Sequence, residues 1–289
     1  MTKKTSNNTQ SLKIPKLIVV SSKIIAYFST KLVTLFAAKL FTTPIKHKIP
    51  KRELEMDCKS TKFLIPISKI NAKVLLYQYG ESDKKILLVH GWSGRGTQLF
   101  KIAEELLKAG YATVSFDAPA HGKSPGKTAI MTDFIDTIVE IEKNYGPFEA
   151  AVGHSLGGMT LLNSVKKGLA IKHLAIIGSG DIVTDILNDF VAKLELKPII
   201  STQLKLYFEK KYDLEMDNYS GYKSAIDILI PVLVIHDKND PEVPVSAGIN
   251  IHKHLKNGEL FLTEGLGHRK ILGNHSVIEK VIRFIKTDN

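Results

Sequence analysis

The chain has one cysteine, one tryptophan and no acidic residue before Glu53. Cys58 alone cannot close an intramolecular bridge, so a disulfide framework is excluded, a Cys-based zinc site lacks its second ligand, and a reducing, cytoplasmic setting is the expectation. No apolar run approaches the roughly 18 to 20 residues that a bilayer span needs. The stretch Leu17 to Val20 is cut by Ser21, Ser22 and Lys23 and leads to no small-residue cleavage pattern, so Lys3 and Lys4 do not read as the start of a secretion signal. There is no internal repeat.

The missing acids matter for the charge. The sequence holds 40 Lys+Arg against 29 Asp+Glu, a net +11, and eleven of those cations fall in residues 1 to 52. Residues 53 to 289 therefore carry 40 − 11 = 29 cations against 29 acids. A neutral body excludes the basic face of a nucleic-acid-binding domain, and no nucleic-acid partner is expected. Within the basic segment, a tail is expected to be frayed up to Pro15. Leu17, Val20, Ile24, Phe28, Leu32, Leu35 and Leu40 then recur at helical spacing, which predicts one amphipathic helix over 16–41, about 39 Å long and ended before Pro44. Two roles are open to it: packing on its own domain, or peripheral contact with an anionic membrane.

The domain at 53–289 alternates short aliphatic strands with longer helical patterns. Strands are predicted at 62–66, 74–79, 86–89, 112–116, 150–152, 174–177, 232–235 and 260–262, with helices near 97–109, 132–145, 156–167, 246–255 and 276–285. Continuous aliphatic strands separated by helices indicate an α/β protein whose mostly parallel sheet is covered on both faces, with ligands bound beyond the carboxyl ends of its strands. The connection at about 182–228 is too long for a crossover. Its three short helical patterns are expected to form a lid over that edge.

The most informative motif is Gly153-His154-Ser155-Leu156-Gly157-Gly158, directly after a strand and before a helix. A serine there sits on a tight, strained turn that lifts its hydroxyl above the sheet, and side chains at 153 and 157 would collide across the turn. The Leu156 amide lies at the following helix N-terminus, where it can donate to an oxyanion. A serine hydroxyl is a poor nucleophile without a base and an orienting acid. The loop His236 to Pro244 supplies the acid, for which Asp240 is chosen over Asp237. Gly265-Leu266-Gly267-His268 supplies the base, His268. The loop His90-Gly91-Trp92-Ser93-Gly94-Arg95-Gly96 offers the Trp92 amide as second oxyanion donor, and it has neither of the glycine patterns of nucleotide-binding loops. Arg95 is expected to pair with Glu104 or Glu105, or else to steer an anionic substrate. The other histidines, His47, His173, His252, His254 and His275, are expected to be solvent-exposed.

Together H-G-W at 90–92, F-D-A-P-A-H-G-K-S at 116–124, G-H-S-L-G-G at 153–158, D-x-x-V-P at 240–244 and G-H-R at 267–269 resemble the α/β-hydrolase superfamily over roughly residues 60 to 287. The resemblance implies an eight-stranded core and a Ser155, Asp240, His268 triad. Ala120 replaces the family's usual glycine, His121 reads as structural, and the N-terminal helix lies outside the common core. The implied chemistry is hydrolysis of a small-molecule carboxylic ester or thioester through an acyl-enzyme, with no cofactor and no metal. Acyl transfer, C–C hydrolysis and membrane-surface lipase or lysophospholipase activity would use the same residues; a non-catalytic binding scaffold would not need them. The acyl and alcohol parts of the substrate and the oligomeric state are not legible.

Overall fold

The structure, a computed structural model, describes residues 14–287; most of the expected frayed tail lies outside the described residues. Eight strands form one sheet: β1 (Thr61–Ile67), β2 (Ala72–Tyr79), β3 (Lys85–Val89), β4 (Ala112–Asp117), β5 (Ala150–His154), β6 (His173–Ile177), β7 (Val232–Asp237) and β8 (Gly258–Thr263). Their order is β1-β2-β4-β3-β5-β6-β7-β8, and β2 is antiparallel to both its neighbours whereas every pair from β4 to β8 is parallel. Each expected strand is present, extended by one to three residues. The helices are α1 (Lys16–Phe28), α2 (Thr30–Thr42), α3 (Leu54–Lys59), α4 (Phe100–Lys108), α5 (Met131–Tyr145), α6 (Leu156–Lys166), α7 (Val183–Lys193), α8 (Ile199–Tyr212), α9 (Gly221–Ala225), α10 (Val245–His254), α11 (Gly267–Lys270) and α12 (His275–Ile285).

The central strands are mainly aliphatic because both of their faces are buried. Along β3, Leu87 and Val89 join a cluster with Phe134, Ile138 and Ile141 of α5 and Leu161 and Leu162 of α6. Ile86 and Leu88, pointing the other way, join Ile102, Ala103 and Leu106 of α4 and Val277, Ile278 and Val281 of α12. The α/β-hydrolase fold expected from the motifs is the fold observed.

Two expectations are corrected. The segment 16–41 is not one helix: Ser29 is extended (φ −160, ψ 122), ends α1 and caps α2 by accepting from the Leu32 amide at 3.2 Å. A serine that can bond the next helix's free amide favours such a break, and apolar spacing does not register it. His173 is not exposed; it opens β6, is 6% accessible, and its ring lies 5.3 Å from that of Phe284.

The connection between β6 and β7 forms a helical cover of α7, α8, a 3-10 turn at Met216–Tyr219 and α9. Its core is shared with the N-terminal segment. Val33, Ala37 and Ala38 of α2 pack with Leu187 and Val191 of α7 and with Ile200, Leu204 and Phe208 of α8.

Candidate active site

The chemistry-bearing residues lie beyond the carboxyl ends of β3, β5, β7 and β8. Between β5 and α6 the chain turns so sharply that Ser155 adopts φ 54, ψ −121, a region that non-glycine residues avoid. A side chain at 153 would approach the Gly157 carbonyl group to 2.6 Å, and one at 157 would fall on the Val89 carbonyl oxygen. The turn is held by the Ser155 amide, which donates to Ile177 at 2.9 Å. Ser155 Oγ makes no hydrogen bond to another described residue and opens into a cavity that His268 also lines.

His268 sits on the one-turn helix α11, entered through Gly265 (φ 78) and Gly267 (φ 63). Its Nδ1–H donates to Asp240 Oδ2 at 2.7 Å, with both side chains buried. The other Asp240 oxygen accepts from the amides of Glu242 and Val243 at 2.8 and 3.0 Å. Burial alone would raise the Asp240 pKa. The bond and charge of His268, with the two amides, hold it instead below the ordinary carboxylate value. Asp237, the alternative acid, accepts from Thr263 Oγ1 and from the amides of Asn239 and Leu266, which ties β7 to the loop after β8. Geometry thus brings Asp240, and not Asp237, to the histidine.

The amides of Trp92 and Leu156 make no hydrogen bond to a described residue, and both residues line the cavity beside Ser155. Such unpaired N–H groups next to a nucleophile can receive an oxyanion. The loop that carries Trp92 is held by His90, whose Nε2 accepts from the Ala118 amide at 3.0 Å.

A protein-family model described as the alpha/beta hydrolase family matches residues 86–204, and a second, described as TAP-like protein, matches residues 215–289. The chain belongs to the α/β-hydrolase family. No curated protein matches this α/β-hydrolase by sequence. Solved structures do match it in fold. An esterase from Pyrococcus furiosus superposes with a TM-score of 0.64 at 19% identity, covering 85% of this chain and 97% of that one. An esterase from Exiguobacterium antarcticum gives 0.63 at 16% identity, covering 78% and 100%. A bromoperoxidase from Bacillus anthracis gives 0.61 at 17% identity, covering 78% and 100%.

Around the hydrolase site the structure adds residues that the motifs did not single out. His154 Nε2–H donates to the His268 carbonyl at 2.8 Å, and the two rings lie 4.6 Å apart. Burial, then the nearby His268, pulls the His154 pKa down to about 3, so the ring is a neutral brace. Glu242 Oε2 stands 4.0 Å from His268 Nε2, and its Oε1 lies 3.2 Å from Arg269 Nε. The D-x-x-V-P pattern contains Glu242, but nothing in the spacing showed that it would face the imidazole.

Arg95 pairs with neither Glu104 nor Glu105. Its guanidinium is buried against Glu53 Oε2 at 2.9 Å, and Thr97 Oγ1 donates to the same oxygen at 2.8 Å. A buried cation with a full partner is unsuited to steering a substrate. His121 is buried, bonds Pro119 O through Nδ1 at 2.9 Å and packs edge-on against Trp92. Ala120 has φ 65, which explains why a glycine suits that turn.

Proposed function

We propose that this α/β-hydrolase is a serine esterase that cleaves a carboxylic ester or thioester through an acyl-enzyme on Ser155. The observation that carries the reading is the strained Ser155 opening into the same cavity as a histidine hydrogen-bonded to a buried carboxylate. Ser155 Oγ attacks the carbonyl carbon and its proton passes to His268 Nε2. Asp240 holds the Nδ1–H tautomer and stabilises the imidazolium. The Trp92 and Leu156 amides receive the oxyanion, and the proton then leaves with the alcohol or thiol as the C–O or C–S bond breaks. Water repeats the sequence on the acyl-enzyme: His268 takes its proton, hydroxide adds to the carbonyl, and Ser155 departs.

The cavity, about 1520 Å³, exceeds the roughly 300 to 1,000 Å³ of most small-molecule sites. Phe41, Phe190, Phe208, Ile18 and Leu40 are among its lining residues, which favours an apolar acyl chain. A second reading, a lipase or lysophospholipase working at a membrane surface, keeps the same residues and is favoured by the exposed apolar side chains of α1.

The test is hydrolysis of p-nitrophenyl butyrate by the wild type and by Ser155→Ala. The substitution should lower turnover by at least about 10³-fold with an unchanged circular dichroism spectrum. Full activity in the variant would overturn the assignment.

A further inference from the structure

Helix α1 has two apolar sides. Ile18, Ile25 and Ala26 face the cover formed by α7 and α8, and Ser22 Oγ donates to the Leu194 carbonyl at 3.3 Å. The other side carries Leu17, Val20, Ile24, Tyr27 and Phe28, which are 77%, 52%, 56%, 86% and 77% accessible. At 100° per residue these five fall within an arc of about 100°, and Lys16 and Lys23 lie together along one edge of it. Helix α2 adds a smaller exposed patch, Leu32 and Leu35, with Lys31 at its edge and Lys39 one turn further along the same face. Contiguous exposed apolar surface rimmed by charge marks an interaction surface rather than ordinary exterior.

The chemistry of the rim selects the partner. No acid occurs in the first 52 residues; Lys23 meets one from elsewhere, Glu195, while Lys16, Lys31 and Lys39 have no acidic partner among the described residues. A second copy docked through this face would set like charges against each other, whereas an anionic bilayer complements them. The helix has 13 residues, about 20 Å, too short to cross a bilayer, and no described helix is long and apolar enough to do so. A short helix with an apolar stripe and lysines at its margin lies in the plane of the interface, with the lysine heads reaching the headgroups.

The geometry points to the exposed faces of α1 and α2 as a docking surface for an anionic lipid bilayer, on helices whose inner sides border the catalytic cavity. Ile14, Pro15 and Ile18 at the start of α1, with Leu40 and Phe41 of α2, line the same cavity as Ser155. Apolar side chains thus run from the inner sides of the docking helices to the cavity of the serine, which suits an acyl chain drawn from the lipid. Delivery of an ester substrate rests on the esterase reading; docking itself does not.

The experiment is co-sedimentation with vesicles of phosphatidylcholine alone and of phosphatidylcholine mixed with phosphatidylserine. Three full-length proteins are compared: wild type, Leu17→Ser/Val20→Ser/Phe28→Ser and Lys16→Glu/Lys31→Glu/Lys39→Glu. All six positions are exposed, and circular dichroism checks the fold. Wild type should bind the phosphatidylserine vesicles at least about tenfold more tightly than the neutral ones, less so at high salt. Both variants should lose that binding yet hydrolyse p-nitrophenyl butyrate at the wild-type rate. Equal binding by all three proteins would overturn the proposal, as would no wild-type binding. A wild-type dimer that the serine variant turns into a monomer, without vesicle binding, would assign the face to a second copy instead. Vesicle binding without any ester hydrolysis would leave docking intact and remove only the esterase reading.

Discussion

Ser155 keeps its positive φ because everything around it is close-packed: Gly153 and Gly157 have no room for a side chain, and the Ser155 amide is anchored to Ile177. Strain of this kind costs about 1 to 3 kcal/mol and persists only where neighbours enforce it. A second residue-scale device is the pair Glu53–Arg95, whose side chains are 3% and 10% accessible. Two buried charges offset each other's desolvation, so removing one leaves the other uncompensated. Glu53→Ala should cost about 3 to 5 kcal/mol in urea denaturation, and Glu53→Met/Arg95→Met should recover most of it. A loss under about 1 kcal/mol for the single variant would show that the pair is not buried in solution.

At the scale of elements, the central strands were legible because burial on both faces leaves short aliphatic runs, each followed by a helical pattern. The chain order of the three candidate residues was also legible, since each follows the end of a strand, and the structure gathers Ser155, Asp240 and His268 around one cavity. What escaped depended on contacts between distant segments. Arg95 finds an acid 42 residues away rather than on the next helix, and no local pattern encodes that choice. The break at Ser29 escaped because the apolar stripes of α1 and α2 continue across it in the sequence while the chain changes direction. Two glycines before His268 are the pattern of a loop, yet Gly265 and Gly267 lead it into a single helical turn.

At the scale of the whole molecule, the net charge of +11 resolves into a neutral hydrolase body and a basic segment whose helices α1 and α2 sit on the cover of the site. The body also carries several buried histidines. Burial pushes His121 down to about 4 and His154 to about 3, and it lowers His90 and His236 as well. An unfolded chain takes up protons on these rings near 6.5, the ordinary value, whereas the folded protein does not until much lower pH. Stability therefore falls with pH from about 6.5 toward 3. The urea midpoint should be lower at pH 5 than at pH 7.5; a flat or rising midpoint would mean that these rings are not held neutral.

Activation of Ser155 as a nucleophile is measured most directly by its reaction with a fluorophosphonate. Such a reagent forms a P–O bond to the serine oxygen and releases fluoride, with the serine proton taken by the neighbouring base. The expected result is one added phosphonyl group by intact mass, mapped to the peptide containing Ser155 and absent from Ser155→Ala. No labelling of the wild type, or equal labelling of the variant, would contradict the account.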